Sequence, residues 1–419
     1  MKPPSPASLK KVTVDNLAGL GAERLAQILV EVAQTRVDLK RRLRMELAAG
    51  LGPRHLVPEI DKRLAALETS RGHVNWRQKP AVLRDLDALR GLIANRLGDA
   101  EPGPAAERLW RFMAAAPATA QRFDDGVDAV DAIYRQAAAD LGSLLVSHDA
   151  TLAANTVIEH LAREPRIWLR WLPSLLQNAP SALATRALKQ GLYRSSTPGW
   201  IPILRQLADA AGDVEAYRAT WSTAALATPP VAVDIANRYL GAGRLEEAGD
   251  ILRLAAPKST AAQGRLAAPD FAWETAWIDY LEQTGDVASA QAIRWASFER
   301  TLEAERVRAF SSRLTGFEDV EAETRALAFA ADHMDAERGL AFLMAWPALA
   351  EASQMILARG DELRIDPDRA ELWAAKLRRR FAPAALVLLR RAAAEAFKRR
   401  ELKTCERLTQ EADAIIPSP

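Results

Sequence analysis

One pattern is written three times between residues 203 and 293: ILRQLADAAGDVEAY (203–217), DIANRYLGAGRLEEAGDIL (234–252) and WIDYLEQTGDVASAQAI (277–293). In each copy, an apolar run at helical spacing leads to a glycine, then to Asp or Arg, then to Val or Leu at the start of a second helical run. A glycine in that place ends one helix and lets the chain reverse. Helical hairpins repeated along a chain are typical of an α-solenoid, so we expect tandem antiparallel hairpins.

The composition of the chain also favours helices. Apolar residues make up 49% of its 419 residues, and most are Ala and Leu, which are strong helix formers. Runs of β-branched residues long enough for strands are almost absent, so the sequence predicts an all-α protein. Cys405 is the only cysteine, which excludes an internal disulfide and favours a reducing compartment. We find no apolar signal segment or membrane span and expect a cytoplasmic protein.

We predict three regions along the chain. Residues 1–12 are rich in Pro, Ser and Lys and are predicted to be disordered. Residues 13–150 form an N-terminal helical domain, and residues 151–416 form the α-solenoid, with further hairpins at 324–346, 348–379 and 383–415. In the last hairpin Arg400 stands where the others have a turn glycine. The segment APKSTAAQGRLAAPDF is predicted to be a surface loop between two hairpins because of its Pro and Gly residues.

The second copy resembles a degenerate tetratricopeptide repeat. With Gly243 as the turn glycine, Ala236, Ala248 and Ala255 stand at the small positions of that motif and Tyr239 at its aromatic position. Small residues allow neighbouring helices to approach closely, and aromatic residues fill the groove between hairpins. The resemblance implies a TPR-like architecture and specifies no ligand.

A second resemblance covers most of residues 10–400. The segments that carry it are DNLAGLGAERLAQIL, LKRRLRMELAA, VNWRQKPAVLRDLDALRGLI, and ERLWRFM followed by RFDD. They resemble a family of long helical bacterial proteins known only as a domain of unknown function. The resemblance implies a helical fold and a bacterial source, and it transfers no catalytic residue.

Aromatic residues in the hairpin region are the first candidates for a binding surface. Tryptophan and tyrosine dominate the energetics of protein interfaces, and the candidates for partner contact are Trp200, Trp221, Tyr239, Trp273 and Trp277. The alternative is packing between hairpins, which the i,i+4 spacing of Trp273 and Trp277 favours.

The sequence contains no arrangement typical of a catalytic, metal or cofactor site. His160 with Glu164 and His333 with Glu337 are i,i+4 pairs, but two ligands leave a zinc site incomplete. Ser147-His148-Asp149 is contiguous, whereas a triad converges from separate segments. The glycine pairs at 19–21 and 241–243 lack the strand and the third glycine of a dinucleotide site. We therefore expect a protein that is not an enzyme and that binds no metal or cofactor.

Charge is distributed unevenly, although the net charge is only +2. Residues 376–407 carry eleven basic and three acidic residues, and residues 270–340 carry fifteen acidic residues and seven arginines. The predicted basic patch consists of Arg378, Arg379, Arg380, Arg390, Arg391, Lys398, Arg399 and Arg400. This asymmetry could steer an acidic partner to the C-terminal region. The alternatives are a solvated helix face, or pairing of the basic region with the chain's own acidic segment.

Two functions from different classes follow from these features. The first is a non-catalytic scaffold that binds a protein partner on the concave face of its helical stack. The second is binding of RNA or DNA by the basic C-terminal helices, although no nucleic-acid-binding motif is present. A hydrolase has no positive support in the sequence.

Overall fold

The turn between the two helices of each repeat is the element that the sequence predicts best. All three turn glycines have a positive φ: Gly212 at 68°, Gly243 at 70° and Gly285 at 86°. The next N–H in each turn donates to a carbonyl five residues back: Asp213 to Ala208 (2.9 Å), Arg244 to Tyr239 (2.9 Å) and Asp286 to Leu281 (2.8 Å). This bond satisfies a carbonyl at the end of the first helix. The turn chemistry predicted from the sequence is therefore confirmed.

A computed structural model describes residues 12–124, 127–257 and 269–415, and these residues contain helices and no β-strand. The all-α prediction is confirmed. Contacts divide the chain into unit 1, Met1–Ser222, and unit 2, Thr223–Pro419, whereas the sequence places the boundary near residue 150. Residues 1–11, and residues 258–268 of the predicted loop at 256–271, lie outside the described residues.

Unit 1 is built from fifteen described α-helices, a π-helical segment at Leu92–Leu97 and short 3₁₀ helices at Leu145–Ser147 and Leu192–Arg194. The helices are α1 (Val14–Ala18), α2 (Ala22–Thr35), α3 (Val37–Gly50), α4 (Pro53–Thr69), α5 (Lys79–Gly91), α6 (Gly98–Ala100), α7 (Pro102–Ala114), α8 (Ala116–Ala120), α9 (Val127–Leu144), α10 (Ala150–Arg163), α11 (Pro165–Trp168), α12 (Leu172–Asn178), α13 (Ser181–Gly191), α14 (Trp200–Ala211) and α15 (Val214–Ala219). Helix α9 packs against α5, α7 and α12 and forms the centre of the unit. Gly142 permits this packing, because a Cβ there would lie 2.1 Å from the carbonyl oxygen of Leu175 in α12.

Unit 2 contains a short 3₁₀ helix at Gly360–Glu362 and twelve described α-helices, which pack mainly on their neighbours along the chain. They are α16 (Thr223–Leu226), α17 (Pro229–Gly241), α18 (Leu245–Leu254), α19 (Phe271–Gln283), α20 (Val287–Thr301), α21 (Ala304–Ser311), α22 (Glu318–Ala331), α23 (Ala336–Ala345), α24 (Leu349–Arg359), α25 (Pro367–Leu377), α26 (Ala382–Lys398) and α27 (Leu402–Asp413). Helix α17 contacts α18 and α19, α22 contacts α23 and α24, and α26 contacts α24, α25 and α27. The predicted hairpin at 348–379 is different, because α25 packs principally on α26 rather than on α24.

The aspartate after the turn glycine starts the second helix in two of the three repeats. The side chain of Asp213 accepts a hydrogen bond from the N–H of Ala216 (2.9 Å), and Asp286 accepts one from Ser289 (3.1 Å). Aspartate at this N-cap position satisfies an otherwise unpaired backbone donor. A two-residue Gly-Asp sequence therefore both ends one helix and begins the next.

Arg400 takes the left-handed conformation without being glycine. Its φ is 63°, and the N–H of Glu401 donates to the carbonyl of Ala396 at 2.9 Å, as in the glycine turns. A side chain in this region costs roughly 1–2 kcal/mol. The α26–α27 turn therefore carries backbone strain that the glycine turns avoid.

We expect Arg400→Gly to stabilise unit 2 by about 1 kcal/mol, because relief of the strain exceeds the added entropy of the unfolded chain. The matched control is Arg399→Gly, since Arg399 has a φ of −81° and gains nothing from glycine. Denaturant unfolding followed by circular dichroism measures both variants. A destabilised Arg400→Gly protein would contradict the turn assignment.

Candidate functional site

Three of the five aromatic candidates lie in the core. Trp200 and Tyr239 are each 1% exposed and Trp273 is 8% exposed. The indole N–H of Trp273 donates to the carbonyl of Leu252 at 3.0 Å, which joins α19 to α18. These side chains fill the spaces between helices, so the expectation that they contact a partner is corrected for all three.

The other two aromatic candidates are half-buried. The guanidinium of Arg205 lies 3.4 Å from the ring centroid of Trp221. Trp277 stacks on Trp273 with centroids 5.7 Å apart and 7° between the planes. Both rings are thus held in place by neighbours while keeping part of their surface exposed.

The predicted basic patch is not a single patch. Arg378, Arg379 and Arg380 lie before the N-terminus of α26, and Lys398, Arg399 and Arg400 lie at its C-terminus. Because α26 has 17 residues, its ends are about 25 Å apart. Arg390 is exposed midway along the helix, and Arg391 beside it forms an ion pair with Asp361. The residues at 378–380 and 398–400, predicted to form one patch, are therefore separated by the length of α26.

The described ion pairs of the basic region do not involve the acidic segment 270–340. Lys398 pairs with Glu395 (2.6 Å), and Arg407 pairs with Glu371. The acidic segment instead pairs with its own arginines: Glu282 with Arg294 (2.7 Å) and Arg313, Glu274 with Arg300, and Glu299 with Arg325 (3.6 Å). The ion pairs of each region are therefore made with residues close to it in sequence.

A buried polar network joins α19, α20 and α21. Ser297 is fully buried, and its hydroxyl donates to Glu274 (2.9 Å) and accepts from Nε of Arg306 (3.0 Å). Arg306 also donates to the carbonyl of Phe271 (3.0 Å) and to Thr275 (2.9 Å). These donors and acceptors satisfy one another through hydrogen bonds between helices, so the network fixes the orientation of α19, α20 and α21. Sequence reasoning missed it, because Glu and Arg at helical spacing look like a solvated face.

Neither of the two His–Glu pairs belongs to a larger group of metal-ligating side chains within the described residues. No group of three or more His, Cys, Asp or Glu side chains suited to a metal occurs in the described part of the chain. His160 instead stacks on Trp110, with centroids 4.0 Å apart and 7° between the planes. A ring nitrogen of His333 accepts from the N–H of Asp335 at 3.1 Å. Both histidines have local structural contacts.

Two of the open grooves between helices are further candidate sites. The α3–α4 groove in unit 1 has a volume of about 330 Å³ and is lined by Val37, Lys40, Arg41, Arg44, Met45, Glu59, Lys62, Arg63 and Ala66. The α22–α24 groove in unit 2 has a volume of about 390 Å³ and is lined by Thr324, Leu327, Ala328, Ala331, Asp332, Glu351, Gln354, Met355, Ala358 and Arg359. The first is rich in cations and the second carries two carboxylates and one arginine. Neither was predicted from the sequence, since each combines residues from two helices.

The described chain is an all-α protein built from short packed helices, with open grooves between them. It belongs to the family described as a family of unknown function (DUF6880), whose model matches residues 7–190 and 193–404. The predicted membership in a domain of unknown function is confirmed. No curated protein and no solved structure matches the chain. Among the described residues, no helix is long and apolar enough to cross a membrane.

Burial lowers the pKa of His160, and the charge of Arg163 acts in the same direction. Below the usual histidine pKa of 6.5, the unfolded chain takes up a proton that the folded chain resists, so the free energy of unfolding falls as the pH falls. We expect His160→Phe, which keeps a ring against Trp110, to lose less stability than the native protein between about pH 7 and about pH 5. Denaturant titrations across this range measure the difference. If the free energies of unfolding of the native protein and of His160→Phe fall equally with pH, the lowered pKa of His160 is contradicted.

Proposed function

We propose that this protein is a non-catalytic helical-repeat scaffold that binds a protein partner. The observation that carries the proposal is the packing of unit 2, where the principal contacts join helices close together in the chain. Such packing is typical of TPR-like α-solenoids, which bind partners along the face formed by the first helices of successive hairpins. The left-handed turns at Gly212, Gly243, Gly285 and Arg400 support the same architecture.

The α22–α24 groove is the surface of unit 2 that best suits such a partner. Helices α22 and α24 pack side by side, and α23 packs on both of them. Exposed Ala328 and Ala358 make the groove open, while Leu327 and Met355 give it an apolar floor. Arg359 is held by the carbonyls of Ala331 (2.8 Å) and His333 (2.9 Å).

The carboxylates of Asp332 and Glu351 make no ion pair within the described residues. They therefore favour a partner segment that brings both apolar and basic side chains to the groove. Apolar contact with the floor would supply affinity, and the carboxylates would select the sign of the partner's charge.

Ala328→Trp fills the groove and tests this proposal. Tagged full-length protein, cross-linked in its host and purified, is expected to recover a stoichiometric partner whose cross-links map to α22 and α24. We expect Ala328→Trp to reduce that recovery about tenfold, as blocking an interface centre does. Ala394→Trp, on an exposed position of α26, is the matched control. Equal recovery with both variants, or cross-links elsewhere, would contradict the assignment.

A second candidate function is nucleic-acid binding by the C-terminal helices. It is favoured by the exposed arginines at 378–380, which make no ion pair within the described part of the chain. Exposed cations without acidic partners are available to phosphate groups.

Electrophoretic mobility shift of RNA and duplex DNA across a salt series tests this candidate. We expect a shift that weakens steeply as salt rises, because bound phosphates release counterions. Replacing the arginines at 378–380 by Glu should abolish it. Reversal of Arg54, Arg96 and Lys189, which are exposed in unit 1, is the control of equal charge. A shift that is insensitive to salt, or equally sensitive to both sets, would exclude the C-terminal site.

A further inference from the structure

The α3–α4 groove is formed by two helical stripes. On α3, Val37, Lys40 and Arg44 are spaced by three and four residues, so they share one face. On α4, Glu59, Lys62 and Ala66 are spaced in the same way. The lined part of α3 spans eight residue steps and is therefore about 12 Å long, which corresponds to about two turns of a docked helix.

Three of the cations that line this groove have no acidic partner. Arg41 pairs with Asp85 at 3.4 Å, and Arg63 pairs with the same carboxylate, so these two arginines share one acidic partner in α5. Lys40, Arg44 and Lys62 are exposed and make no ion pair within the described residues. Glu59 is the one carboxylate among the lining side chains. The rim of the groove therefore has an excess of positive charge.

The floor of the groove is apolar. Met45, at 4% exposed, is the buried apolar residue of the lining, and the exposed Ala66 and Val37 are its other apolar residues. A ligand that only neutralised the rim would leave this floor in contact with water. A ligand that carries apolar groups between acidic ones would use both features.

We propose that the α3–α4 groove binds an acidic amphipathic helix of a partner protein. Apolar side chains at positions i, i+3, i+4 and i+7 of that helix contact Met45, Ala66 and Val37. Its flanking carboxylates pair with Lys40, Arg44 and Lys62. This site lies in unit 1 and has the opposite charge from the α22–α24 groove. A test of this site therefore neither supports nor contradicts the proposal for the α22–α24 groove.

The experiment uses the full-length protein and a fluorescently labelled helical peptide of about fourteen residues. The peptide carries Leu at i, i+3, i+4 and i+7 and Glu on both flanks. Fluorescence anisotropy gives its Kd for the native protein, for Arg44→Glu and for Arg54→Glu. Arg54 is also an exposed arginine without an ion pair, but it lies outside the groove, so it is the matched control.

We expect binding that Arg44→Glu weakens about fivefold and that Arg54→Glu changes less than twofold, as expected for loss and reversal of one exposed charge pair. Circular dichroism confirms that both variants are folded. Two further peptides test the chemistry: replacing Glu by Lys, or Leu by Ala, should each remove binding.

Several results would overturn the proposal. No binding of the peptide, or equal binding of the lysine peptide, would exclude an acidic helix. Full binding of the alanine peptide, with complete competition by inorganic polyphosphate, would indicate a polyanion site instead. Concentration-dependent self-association that Arg44→Glu abolishes, in protein that does not bind the peptide, would identify a second copy of the chain as the occupant.

Discussion

The left-handed turn between paired helices is the constraint on which the rest of the repeat region depends. A positive φ at one residue directs the following N–H back to a carbonyl five residues earlier, in the glycine turns and at Arg400 alike. This geometry ends the first helix and sends the second back along it. Packing between helices then follows from where small side chains allow close approach. At Gly339, for example, a Cβ would lie 2.1 Å from the carbonyl oxygen of Ala330.

Features that depend on one backbone position could be predicted from the sequence, because few residues suit a left-handed φ or a helix cap. The three turn glycines belong to this class, and so does Arg400, which stands where the other turns have glycine. Features that depend on distance in space could not. The arginines near 378 and 399 look contiguous in sequence, yet α26 separates them. The burial of Trp200 could not be predicted either, because an aromatic residue suits both an interface and a core.

The buried network around Arg306 shows that a charged residue in the sequence does not always lie on the protein surface. Glu274, Ser297 and Arg306 are each at most 5% exposed, and all three are hydrogen-bonded to one another or to nearby backbone. An apolar cluster of the same volume could be as stable, because desolvating charges is costly. The polar version, however, fixes the mutual orientation of α19, α20 and α21, since its directional bonds tolerate few alternative arrangements.

Packing mainly between helices close together in the chain has a consequence for how unit 2 can vary. In the solenoid architecture proposed above, stability is distributed over successive interfaces, so no single layer supports all the others. In that architecture, adding or removing a terminal pair of helices creates or deletes one interface and leaves the remaining ones intact. Related chains can therefore differ in the length of the helical stack while keeping the same turns and the same helix packing. The length of the stack then becomes a property that evolution can change separately from the fold.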